Sequence, residues 1–194
     1  MIEKWVKAFV EFQTGIGVIQ DDDVSVYQYG YTVMIEVLLN TAISFVLGVL
    51  LGQIKEVCFF LCMFIPLRSF CGGYHATKAW QCAILSNLSV IGALVLSEML
   101  TQYRISPFVY IIGEICIGSV IAYYSPVESV HKKLNVEEQK IYRKYVTKIL
   151  MVEMVAAIVF LISGSQKMFN VIFFVHIIQG LSLLKISVGM KFQI

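Results

Sequence analysis

The sequence predicts an all-α, polytopic membrane protein, and three observations predict it. Hydrophobic residues make up 58% of the 194-residue chain and charged residues 14%, with a mean hydropathy of +0.79. Soluble domains carry about 45–50% apolar and about 25% charged residues. Apolar runs near the ~20 residues that a hydrocarbon core of ~30 Å requires recur along the chain. The cations, finally, fall on one side of the layout that those runs define. This composition excludes an ordinary cytosolic enzyme, a disordered regulator and a secreted disulfide scaffold. A net charge of +2 offers no basic field for nucleic acid.

The elements follow in order, within one domain covering residues 1–194. Residues 1–20 carry Glu3 and Glu11 where a signal peptide would be apolar, so they read as an amphipathic helix. Its apolar face is Ile2, Trp5, Phe9, Phe12 and Ile16, recurring every three or four residues. That face lies either in the headgroup plane, with Trp5 as anchor, or across the mouth of the bundle. Asp21, Asp22 and Asp23 form a polar break. Six spans then follow: Tyr31–Gly52, Val57–Leu67, Cys82–Leu100, Pro107–Tyr124, Ile149–Gly164 and Met168–Leu184. Pro107 suits a first helical turn. With both termini cytoplasmic, 12 Lys and Arg residues fall inside and only Lys55, Arg104 and Lys167 outside, the positive-inside pattern.

Residues 125–148 form the longest polar loop, on the cytoplasmic side. Glu137, Glu138, Lys140, Arg143, Lys144 and Lys148 stand three or four apart within it, which fits an exposed helix. Two uses are open: a topology signal, or a docking surface for an acidic partner or anionic lipid. The chain shows no internal repeat, so an inverted-repeat transporter has no support.

The second span is the anomaly. Ile54 to Leu67 gives 14 residues, interrupted at Pro66, or about 21 Å of helix against a core of about 30 Å. The polar segment 68–82 that follows is therefore expected to begin inside the membrane, with Gly72-Gly73 as its break. Irregular backbone at that depth survives only when buried in protein or lining a wet cavity.

His75 and Cys82 supply chemistry in this segment, as an imidazole can take the proton of a thiol nucleophile. They are seven residues apart, about 10.5 Å of rise on one helix, whereas contact needs about 3–4 Å. A dyad therefore requires the glycine break, with Thr77 as N-cap of a helix that carries Cys82 in its second turn. Spacing alone leaves two other readings open. The pair can be a satisfied polar residue and a small hydrophobe, or part of a metal site with Cys71 and a remote fourth ligand, at a non-standard spacing. Cys58, Cys62 and Cys116 lie in apolar spans and are expected to pack.

Arg68 through Cys82 resembles the signature of the AgrB (accessory gene regulator B) family of bacterial membrane peptidases. That pattern is an arginine, a glycine two before a histidine, and a cysteine seven after it: here Arg68, Gly73, His75 and Cys82, with Gly72 beside them. Tyr124-Ser125-Pro126-Val127-Glu128 resembles a second marker of the family. After Glu128 the chain departs, with His131-Lys132-Lys133-Leu134 where many relatives carry an Asn-Lys-Pro stretch. The resemblance implies a plasma-membrane cysteine endopeptidase of bacterial quorum sensing, acting on an AgrD-like precursor peptide and needing no metal or cofactor. Cys82 would be the nucleophile and His75 the base. The acyl-enzyme thioester would pass to a group on the bound peptide and close a thiolactone or lactone ring.

Supporting roles are less determined by the sequence. Arg68 is either a ligand for precursor carboxylates or a headgroup anchor. Ser125 and Glu128 are candidate peptide contacts. Gln81 and nearby backbone N–H groups are candidate oxyanion donors. Glu36 and Glu153 lie about one and a half turns inside their spans, where either would orient His75 or pair with another span. Glu114 and His176 read as polar contacts of the bundle interior. A homodimer follows from the family and from the GxxxG spacing of Gly48 and Gly52. The competing class is a non-enzymatic exporter or scaffold, although the intramembrane carboxylates are too scattered to line a path.

Overall fold

The computed structural model describes residues 2–73, 79–103, 105–127 and 135–191. All regular structure among them is helical: α1 (Ile2–Gly15), α2 (Val24–Leu50), α3 (Ile54–Cys71), α4 (Ala79–Thr101), α5 (Pro107–Tyr124), α6 (Val136–Ile162) and α7 (Gln166–Lys191), with a short 3-10 turn at Asp21–Asp23. The chain divides into two compact units, residues 1–43 and 44–194.

In the first unit α1 packs on the first turns of α2 through Val6, Val10 and Ile19, which bury against Val24, Tyr31 and Ile35. The Phe9 ring meets Tyr31 edge to face at 5.3 Å. The face expected to be covered is thus not the packed one: Trp5 is 75% exposed, and Phe9, Phe12 and Ile16 are also exposed. The valines supply a second apolar stripe, which the Trp5 periodicity conceals.

In the second unit the last turns of α2 bury Ser44 and Gly48. A methyl at Gly48 would meet Val57 Cγ2 at 2.8 Å, so α2 and α3 cross closely there. Gly52 provides the positive φ of 65° in the tight connection. Both glycines expected to mark a contact between copies therefore serve within the chain.

Among the described residues, five helical stretches are long and apolar enough to cross a membrane: Asp21–Leu50, Trp80–Thr101, Pro107–Tyr124, Val136–Ile162 and Gln166–Ile186. The sixth expected span, α3, is not among them, because Lys55, Glu56 and Arg68 fall within its 18 residues. It is nevertheless longer than expected. Helix continues through Pro66 to Cys71, about 27 Å in all. Full burial of Leu67 and Cys71 and stacking of Phe70 on Tyr145 of α6 at 4.9 Å offset the hydrogen bond that proline removes.

The helix expected within residues 125–148 is present, but it is not separate from the fifth span, since α6 begins at Val136 and runs on into it. Its start is a capping box: Asn135 Oδ1 accepts from the Glu138 N–H at 2.8 Å, and Glu138 returns the bond to the Asn135 N–H at 3.0 Å.

α7 is the central helix, packed against α3, α4, α5 and α6. Half of its apolar stretch is buried, against about a fifth in the other spans of this unit. At one end Lys167 of α7 pairs with Glu56 of α3 at 3.0 Å and Glu98 of α4 at 2.7 Å. α3 and α5 finish, and α4 and α6 begin, at the opposite end. The candidate site lies there.

Candidate functional site

α3 stops at a glycine pair that no other residue type could occupy in this geometry. Gly72 has φ 70° and ψ −161°, and Gly73 has φ 147°. These are dihedrals that side-chain-bearing residues adopt only at a cost of about 1–3 kcal/mol. Space forbids substitution as well. A methyl on Gly72 would stand 2.5 Å from the Val127 carbonyl oxygen, and one on Gly73 would overlap Arg68 Nη1. The break expected at Gly72-Gly73 is present, four residues beyond the expected end of the span.

The freed backbone groups are satisfied by protein, as irregular backbone in an apolar medium requires. The Gly72 N–H donates to the Arg68 carbonyl at 3.1 Å, and the Val127 N–H donates to the Cys71 carbonyl at 2.9 Å. Gln179 Nε2 of α7 donates to the Gly72 carbonyl at 2.8 Å. Arg68 Nη1 donates to Ser182 Oγ, one turn further along α7, at 2.5 Å.

The thiols at this end differ. Cys71 is fully buried, facing the Ser125 hydroxyl and the Gln179 carboxamide. Ser125 itself is buried and donates to the Ile121 carbonyl at 2.6 Å. Cys82, in the opening turns of α4, is half-buried and therefore reachable. The Arg68 guanidinium lies within electrostatic reach of both. Cys58, Cys62 and Cys116, expected to pack, are instead exposed on their helices. Among the described residues no group of His, Cys, Asp and Glu could hold a metal ion.

Next to this end lies a buried polar triad. His176 of α7 places Nδ1 2.9 Å from Glu114 Oε1 of α5 and Nε2 3.0 Å from Glu153 Oε2 of α6. All three side chains are buried. Glu153, one of two carboxylates considered for orienting His75, is thus engaged by His176. Glu36, the other, is half-buried on α2 in the first unit.

The structure gathers Arg68, Gly72, Gly73, Ser125 and Val127 at one place, with Cys82 within electrostatic reach of Arg68. Gln81 is half-buried next to Cys82. His75, Thr77 and Glu128 lie outside the described residues. Gln179 and Ser182 were not anticipated from the sequence. The signal was available, since Gln179 is an amide inside an apolar span, one turn beyond His176.

Long apolar helices around a polar, glycine-broken helix end define a multi-pass membrane protein with a chemically equipped site at one end of its bundle. The Accessory gene regulator B family model matches residues 3–183, and the chain belongs to that family, which takes part in accessory gene regulator quorum sensing. Protein FsrB of Enterococcus faecalis is 27% identical over 174 residues, covering 85% of this chain and 69% of that protein. A Clostridium perfringens protein described as AgrB-like is 29% identical over 119 residues, covering 59% of this chain and 56% of that protein. No solved structure matches.

Proposed function

We propose that the chain is a membrane-embedded cysteine peptidase that cuts an AgrD-like precursor and closes the released fragment into a ring, with both termini in the cytoplasm. The observation that carries this is the contrast between two thiols beside one arginine: Cys71 is sealed and Cys82 is reachable. In the reaction Cys82 Sγ attacks the carbonyl at the end of the future signal, with His75 accepting the thiol proton. The scissile C–N bond breaks, His75 passes that proton to the leaving amine, and a thioester to Cys82 remains. A thiol or hydroxyl of the bound peptide then attacks this thioester and Cys82 leaves. No water is consumed, and exchange with a thiol is nearly isoenergetic.

Holding both groups in one site supplies the effective molarity, and a water-poor setting protects the thioester. Arg68 provides positive charge for the oxyanion that develops. Gln81 and Glu128 would contact the peptide or its oxyanion, whereas Ser125, expected to do so, is buried with its hydroxyl donated to the Ile121 carbonyl.

The test is to co-express the chain with a neighbouring small precursor peptide and read the products by mass spectrometry. The expected product is one water lighter than the linear acid, absent with Cys82→Ala and retained in part with Cys71→Ala. Continued cleavage by Cys82→Ala would overturn the proposal.

A further inference from the structure

We infer that Gln179 and Ser182 of α7 are positioning residues, fixing the glycine-broken end of α3 and the Arg68 guanidinium whose charge reaches Cys82. This rests on the reading of Cys82 as the nucleophile. Each acts through a group at the end of α3: Gln179 through the Gly72 carbonyl, and Ser182 through Arg68, whose charge reaches Cys82. Gln179 is fully buried and donates to the Gly72 carbonyl at 2.8 Å. Ser182 accepts from Arg68 Nη1 at 2.5 Å, and a methyl on Gly73 would lie 2.7 Å from its Oγ. The two therefore grip both glycines and the arginine, while Val127 closes the other side.

α7 is suited to this because its rotation is fixed one turn away. His176, Gln179 and Ser182 follow one another at three-residue intervals and so occupy neighbouring positions on one side of the helix. His176 is held at both ring nitrogens, by α5 on one side and α6 on the other. Side-chain atoms lie about 5 Å from a helix axis, so a rotation of about 20° would move Gln179 by about 1.7 Å. That exceeds what a hydrogen bond tolerates. The imidazole clamp thus sets where the glycine pair and Arg68 sit.

The test uses the full chain in liposomes and iodoacetamide as probe, with alkylation of Cys82 read by peptide mapping at pH 7 and pH 9.5. In the unaltered chain Cys82 is expected to react fastest of the five cysteines at pH 7. Gln179→Met keeps the volume and removes the donor, and its pH 7 rate is expected to fall about 10- to 100-fold with the pH 9.5 rate unchanged. Ser182→Ala, a milder change that still folds if Gln179→Met does not, is expected to move the same ratio in the same direction.

The control is Asn170→Leu on the same helix. Asn170 makes an equivalent buried bond to the Ser97 carbonyl at 3.1 Å, away from the site. It should lower thermal stability and leave the rate ratio alone. Unchanged ratios in both Gln179→Met and Ser182→Ala, or an equal change in Asn170→Leu, would overturn the inference while leaving the nucleophile in place. If Cys82 of the unaltered chain reacts no faster than the others, both readings fall.

Discussion

Replacing Gly72 with alanine is the sharpest single perturbation of the site. Its φ of 70° with ψ −161° lies in a region essentially reserved for glycine, at a cost of about 1–3 kcal/mol for any other residue. The new methyl would also stand 2.5 Å from the Val127 carbonyl oxygen. That atom belongs to backbone, so relief means moving residues 125–127 and losing the 2.9 Å bond from the Val127 N–H to the Cys71 carbonyl, about 1 kcal/mol more. If the chain stays folded with this end displaced, about 2–4 kcal/mol translates into turnover roughly 30- to 1,000-fold slower.

The assay is product formation from co-reconstituted precursor in liposomes, with thermal unfolding in detergent measured in parallel. Gly73→Ala separates backbone from side chain, because its methyl would displace the end of the Arg68 side chain. Turnover should then fall, and Tm should fall less than in Gly72→Ala, because the φ of 147° still costs about 1–3 kcal/mol but the nearest atoms belong to side chains. Gly92→Ala on α4 meets nothing within 4 Å and is the control, expected to be neutral or stabilising by up to about 1 kcal/mol. Gly72→Ala turning over within about threefold of the unaltered chain would refute the assigned geometry.

Two further outcomes follow from buried and exposed extremes of the molecule. His176→Leu should destabilise by about 3–5 kcal/mol, because it strands two buried carboxylates that now share one imidazole. Glu114→Gln, which keeps a polar partner at Nδ1, should cost much less, and equal Tm values for the two variants would contradict the clamp. Trp5, 75% exposed on the outer face of α1, should show fluorescence quenched by lipids brominated on the acyl chain and protected from aqueous iodide; the opposite pattern would remove α1 from the membrane interface.

The sequence made the helical membrane class legible because it rests on composition and run length, which the bilayer dictates directly. The glycine break was legible for a similar reason: Gly72-Gly73 is a local signal that needs no partner. Facing was not legible. In lipid, a helix is apolar on its outer side as well as its packed side, so hydropathy could not tell that Val6 and Val10 pack while Trp5 and Phe12 stay outside.

Nor could hydropathy single out α7 as the centre of the bundle. The end of α3 was misjudged because charge was taken to end a helix, and the charged stretch before the fifth span, although read as helical, was not joined to that span. Arg68 and the Lys140–Lys148 stretch lie on helices that continue through them, and the Asn135-x-x-Glu138 capping box was the overlooked marker of where α6 begins.

Why the two family segments, 68–82 and 124–128, belong together also becomes a physical matter. A helix that ends buried in protein leaves carbonyls that need a partner other than water. At the end of α3 the Cys71 carbonyl is taken by Val127 and the Gly72 carbonyl by Gln179. The second segment is thus the missing hydrogen-bonding partner of the first, and Gly72 is glycine because the Val127 carbonyl passes where a side chain would be. Once the backbone is satisfied in this way, no water is needed to hold the break open. The sealed Cys71 beside it and the reachable Cys82 are then consequences of the same closure.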